Sequence, residues 1–193
     1  MCKGTMNIIH SIRKDSFWGT QIVFEVPLAS NTNVYMRIDH RGALEHERSV
    51  VIVDALRFLA LWKLEPYNFN SELSRGNPDT WKSDRKFSHA EQGFSKGVTD
   101  PVPLANVVCN PHIEHDAMYE KKYIFVKKLV GYKEREFDYV DFNNGITRTI
   151  WLLTHGAPYF PVECHNTDGT ERLYQNCGVQ GSEIYTVHQL INT

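Results

Sequence analysis

Between Asp141 and Cys164 the chain reads DFNNGITRTIWLLTHGAPYFPVEC, and a strand, a tight turn and a helix must follow one another there with no spare residues. The run 137–142 reads as a strand that Asn143-Asn144-Gly145 breaks. Residues 146–154 have helical spacing and stop at His155-Gly156, a good C-cap pair, before 160–164 resumes as a strand. A helix leaving such a turn directly exposes unpaired N–H groups and the positive end of its dipole. Gly145 lets the backbone approach a ligand, Thr147 and Thr149 offer hydroxyls, and Arg148 can fork onto phosphate oxygens. Asn143, Asn144, Gly145, Thr147, Arg148 and Thr149 therefore form a candidate phosphate cradle. The bare Gly-x-x-Arg spacing is weak by itself. A plain corner with Arg148 on a solvated face uses the same residues, so context must decide.

The rest of the chain supplies that context. With 193 residues, 41 % hydrophobic, 23 % charged and a net charge of −2, it is a folded chain of one domain, 1–193. The overall charge does not attract polyanions, so nucleic-acid contact needs a local basic patch. Residues 20–28 and 34–38 alternate as strands, and Ala29–Thr32 suits a hairpin between them. Ser49 is read as the N-cap of a long helix running to about Glu65, apolar almost all round and hence buried, with Asp54 and Arg57 as an i,i+3 ion pair. Residues 67–99 are polar with widely spaced Phe69, Trp81, Phe87 and Phe94, which predicts a long ordered loop pinned to the body. Residues 103–109 and 122–130 are short apolar runs. The fold class expected is α+β with a mixed sheet. Four cysteines and the absence of an apolar export signal or membrane-length apolar run predict reduced thiols in a cytoplasmic protein.

On these residues a resemblance can be stated. The stretch 141–164 is similar to the signature of the ParB/sulfiredoxin fold: strand, Gly-x-x-Arg turn, helix, Gly, and a strand ending in Pro-Val-Glu. PVPLANV at 101–107 together with NGITRTIWLLTHGAPYFPVEC resembles the plasmid fertility inhibition factors, firmly over 100–164. The resemblance implies an ATP-binding ParB/sulfiredoxin-like core at 100–165 with ATPase and DNase activity. It also implies a role in blocking transfer of DNA through a type IV secretion apparatus from inside the donor cell. The secretion coupling ATPase is an expected partner, and peripheral association with the inner membrane through that apparatus is compatible with these residues but demanded by none. Gly145 and Arg148 match the phosphate-binding Gly and Arg of the turn. Ile146 and Thr147 stand where sulfiredoxins have Cys and His, so sulfinic-acid reduction is not credible. The Glu-Asn-x-x-Arg motif of ParB proteins is absent.

Phosphodiester hydrolysis needs a water activator and charge neutralisation, commonly a divalent metal held by carboxylates. The expected catalytic groups are Arg148, Asp141 and Glu91, with His89 beside Glu91. Asp141 and Glu163, taken to be on adjacent strands, are the expected ligands of a divalent ion such as Mg²⁺. Between Tyr119 and Arg135, the cations Lys121, Lys122, Lys127 and Lys128 interleave with aromatic rings, a combination suited to DNA contact, although a lysine-protected sheet edge uses the same residues. Cys109, His112, His115, Cys164 and His165 are zinc-ligand types, but only one paired knuckle exists and a structural zinc site is disfavoured. A non-catalytic inhibitor docking on the coupling ATPase through the 67–94 segment is the alternative function.

Overall fold

The structure, a computed structural model, describes residues 8–15, 19–39, 48–123 and 126–192. Two sheets carry the fold. The smaller has β1 (Ile9–Asp15), β2 (Gly19–Pro27), β3 (Asn33–Asp39) and the two-residue β5 (Val102–Pro103) in that order. The larger has the order β7 (Val126–Asn144), β6 (Ala105–Tyr123), β8 (Tyr159–His165), β4 (Arg48–Asp54), β9 (Tyr185–Thr186), with β6 and β8 parallel and its other neighbours antiparallel. The α+β expectation holds, as does the hairpin, whose strands pair from Gln21 opposite Asp39 to Pro27 opposite Asn33.

The long helix from Ser49 does not exist. Val50-Val51-Ile52-Val53 is a β-branched run, and β-branched side chains fit a pleated, covered sheet better than a helix. All four are fully buried because β4 is an inner strand with cover on both faces. Such a strand loses its alternation and reads as continuous apolar sequence. The helix begins only at α1 (Ala55–Trp62), and Asp54 is its N-cap, accepting from the Leu56 and Arg57 backbone N–H groups. Asp54 and Arg57 are thus not an i,i+3 ion pair. The Arg57 guanidinium instead donates to the carbonyls of Gln175, Asn176 and Gly178 at the end of α6 (Thr167–Cys177).

The predicted loop is helical as well. It folds into α2 (Ser71–Ser74), α3 (Pro78–Trp81) and α4 (Phe87–Ser95), followed by a short 3₁₀ turn at Gly97–Thr99. Trp81, Phe87 and Phe94 are buried as pins, whereas Phe69 is exposed. The Trp81 indole N–H donates to the Leu73 carbonyl at 2.7 Å, tying α3 to α2. Phe94 stacks on Trp151 of α5 (Ile146–Thr154) with ring centres 4.2 Å apart, fixing α4 against that helix. A last short helix, α7 (Val187–Ile191), packs on β4.

β6 leaves β8 after Val107, yet pairs with β7 all the way to Tyr123 opposite Val126. Roughly 50 Å of two-stranded ribbon therefore projects past the sheet. Pro111, which cannot donate to a ladder, sits in β6 where the side away from β7 has already lost its partner. No helix among the described residues is long and apolar enough to cross a membrane.

Candidate functional site

The strand–turn–helix corner forms as the sequence predicts. β7 ends at Asn144, Gly145 turns, and α5 begins at Ile146 with no side chain capping its first turn. Gly145 has φ +96°, and a Cβ there would lie 2.7 Å from the Ala105 Cα. Its glycine is demanded by left-handed backbone and by contact with β6, not solely by approach to a ligand. At the other end Gly156, φ +68°, closes α5 with the Gly156 N–H on the Leu153 carbonyl and the Ala157 N–H on the Leu152 carbonyl.

A cleft of about 460 Å³ opens over this corner, within the usual range for a small-molecule site. Asn143, Asn144, Gly145, Thr147 and Arg148 all line it. Thr149 does not: it is buried, and its hydroxyl donates to the Gly145 carbonyl at 3.2 Å. The opposite wall comes from the segment expected to be a loop and includes Asp84, Arg85 and Lys86. These residues immediately precede α4, where Asp84 takes the Lys86 N–H on its carboxylate and the Phe87 N–H on its carbonyl, both at 2.9 Å, and the His89 N–H bonds the Lys86 carbonyl at 3.0 Å. Of the two helices, only α5 presents its first turn to the cleft, through Ile146, Thr147 and Arg148. The charged lining of the cleft is three cations against Asp84. The signal for this wall was present as the Phe87, Ala90, Phe94 helical spacing, hidden among polar residues.

Arg148 is half-buried, and its guanidinium donates to the Pro103 carbonyl. Burial lowers its pKa, the nearby Arg37 charge lowers it further, and Glu163 partly opposes both. Arginine nonetheless stays cationic at neutral pH. No carboxylate among the described residues pairs with Arg148, whereas Arg37 is held by Asp39 at 3.1 Å and Asp100 at 3.3 Å. A partly desolvated guanidinium bonded to a neutral carbonyl, with Glu163 acting on it only at a distance, favours an anion beside it.

The carboxylates expected to share a metal are not on neighbouring strands. Glu163 of β8 lies level with Asn106 of β6, and Asp141 of β7 lies level with Val108, so β6 intervenes and the register differs by two residues. Glu163 accepts from the Arg48 Nε at 2.7 Å and lies 3.1 Å from the His165 Nε2, and Asp141 accepts from the Phe142 N–H at 2.7 Å. These groups do not fit a resident metal, and the described residues hold no cluster of three or more His, Cys, Asp or Glu suited to one. A polar row missed from sequence links Glu163 to the cleft. Asn143 donates to Asn106 at 2.9 Å, and the Asn106 amide meets His165 at 2.7 Å. Cross-strand neighbours create this row, and no local motif encodes it.

Glu91 and His89 lie on exposed turns of α4 and do not line the cleft. Lys127 and Lys128 are exposed near the tip of the ribbon, and the side chains of Lys121 and Lys122 lie outside the described residues. The zinc-type residues are dispersed. Cys109 and Cys164 are buried free thiols, with burial pushing Cys109 up to about 12. His112 packs among Tyr67, Phe137 and Tyr139, and His115 faces Glu134.

The model of the plasmid fertility inhibition factor family matches residues 50–178. Protein osa of Shigella flexneri is 24 % identical over 161 residues, covering 82 % of this chain and 70 % of that protein. The fold is similar to the crystal structure of oncogenic suppression activity protein, described as a plasmid fertility inhibition factor and solved as a gold(I) cyanide derivative. That similarity has a TM-score of 0.67 at 21 % identity and covers 94 % of this chain and 80 % of that one. With two sheets and the corner at Gly145 arranged as described, and two thirds of its length within the family match, the chain belongs to the plasmid fertility inhibition factor family.

Proposed function

We propose that this factor binds ATP in the Arg148 cleft and acts as an ATP-hydrolysing DNase on DNA leaving through a type IV secretion apparatus. The observation that carries the reading is the convergence of the uncapped first turn of α5 with Arg148, Arg85 and Lys86 on one cleft. A polyphosphate matches that geometry, since several N–H groups and separate cations can each take different phosphate oxygens. Arg148 neutralises charge developing on the transferred phosphoryl group. A divalent ion enters as the ATP complex, because Asp141 and Glu163 do not converge on one. Among carboxylates, Asp84 lines the cleft and Asp141 stands on β7 two residues before Asn143, and these are the candidates for activating water. DNA follows the ribbon tip at Lys127 and Lys128.

The test follows phosphate release and DNA length together, with wild type, Arg148→Ala and the Arg85→Ala/Lys86→Ala pair. Loss of about tenfold or more in turnover in both folded variants supports the site. Wild-type turnover in folded Arg148→Ala refutes it. Absence of any turnover by wild type, with transfer still blocked in cells, favours a docking inhibitor. Such docking would not use the rings of Trp81, Phe87 and Phe94, which are buried.

A further inference from the structure

The projecting ribbon has two unlike faces. On one, the β6 residues are Glu114, Asp116 and Glu120, and the β7 residues opposite them are Arg135, Lys133 and Lys128. Each rung is an acid facing a base, and Arg135 is bonded to Glu114. Met118, in the same row, lies over Gly131. The other face carries Ile113, Ala117 and Tyr119 from β6 with Tyr132 and Leu129 from β7. Its large side chains are open to solvent: Ile113 is 51 % exposed, Tyr119 59 %, Leu129 43 % and Tyr132 61 %. The apolar patch is the two rungs Ala117/Tyr132 and Tyr119/Leu129, flanked on this face by the His115–Glu134 pair on one side and Lys127 on the other, with Ile113 beyond that pair opposite Glu136. Two-stranded ribbons are marginal alone, and an exposed apolar patch on one calls for cover.

We propose that the cover is the same face of a second copy of this chain, with the two ribbons stacked antiparallel and their bodies at opposite ends. The charge pattern argues for face contact and against edge contact. A two-fold pairing of β6 with β6 sets acids against acids, and β7 with β7 sets bases against bases. The charged face is neutralised rung by rung and stays in water.

A two-fold axis between the Ala117/Tyr132 and Tyr119/Leu129 rungs makes this face complementary to itself. Tyr119 of one copy then covers the small Ala117 of the other, and Tyr132 meets Leu129. One step further out, Glu134 of each copy lies against Lys127 of its mate. Three large side chains, Tyr119, Leu129 and Tyr132, each offering on the order of 100 Å², cover about 600 Å² over both copies. That is below a permanent interface and suits a reversible dimer with Kd in the micromolar range.

Sedimentation of the full chain from about 1 to 300 μM, spanning such a Kd, tests the proposal. The expected result is a monomer–dimer equilibrium that Tyr132→Lys weakens about tenfold or more, since a buried charge replaces an apolar contact. Lys127→Glu and Glu134→Lys each weaken it, and the two together restore it to within about threefold. All three positions are exposed, so the fold does not depend on them. A monomer throughout, a dimer indifferent to Tyr132→Lys, or a double reversal that fails to recover overturns the proposal.

Discussion

Arg148 and Gly145 show how residue chemistry and backbone geometry combine at the corner. Gly145→Ala meets both a left-handed φ and the Ala105 backbone, whereas Gly97, also left-handed at φ +61°, has nothing within 4 Å. Gly97→Ala should therefore cost about 1 kcal/mol of conformational strain alone, and Gly145→Ala about 2–4 kcal/mol because overpacking is added. Chemical denaturation of the two variants checks the difference, and equal losses would refute the close approach. The three described cysteines give a second expectation. Burial raises the pKa of Cys109, Cys164 and Cys177, so none should be alkylated in the native protein at pH 8, and all three should react on unfolding. Peptide mass mapping decides it, and native-state labelling of Cys109 would contradict the packing. At this scale the sequence was informative: Asn-Asn-Gly, Arg148 and His155-Gly156 each act locally, and each lies where local rules put it. Thr149 was misread because a hydroxyl one turn into a helix can bond back to the carbonyl four residues earlier.

At the scale of elements, the cleft depends on α4 being held against α5. The Phe94–Trp151 stack continues to His155, whose ring centre is 3.8 Å from Trp151. Phe94→Ala should cost about 3–5 kcal/mol and, in protein that remains folded, weaken anion binding by releasing Arg85 and Lys86 from the cleft wall. Thermal melting with and without inorganic pyrophosphate reads both effects, and unchanged pyrophosphate stabilisation would show that α4 does not shape the site. Arg57 serves a different joint, closing the carbonyl end of α6 from α1. Arg57→Ala should destabilise by about 1–3 kcal/mol, with Lys recovering only part because it lacks the guanidinium fork. Elements were less legible than residues, for physical reasons. Val50–Val53 is buried on both faces, so its period vanished, and α2 and α3 are four residues each, too short for periodicity to register. The Asn77 capping box with Pro78 at the first helical position was the readable trace of α3.

Across the whole molecule, the cleft and the ribbon are separate features of one chain. The cleft lies where β7 ends, whereas the ribbon's apolar face lies on the portion of β6 and β7 that has left the main sheet. The charged and apolar residues of the ribbon were in the sequence, but the rungs that set Glu114, Asp116 and Glu120 against Arg135, Lys133 and Lys128 on one face, and Tyr132 and Leu129 against Ala117 and Tyr119 on the other, followed only once the pairing register was known. The polar row from Glu163 through His165 and Asn106 to Asn143 was likewise a product of strand order, which local patterns do not specify. The central claim is that Arg148 completes a polyphosphate site. It is tested most directly by titrating purified wild type and Arg148→Ala with ATP in a calorimeter, with circular dichroism to establish that both are folded. The account predicts saturable binding by wild type and a loss of affinity of about tenfold or more in the variant, as expected for removing a charge-assisted contact from a desolvated site. Equal affinity in the two folded proteins would contradict it.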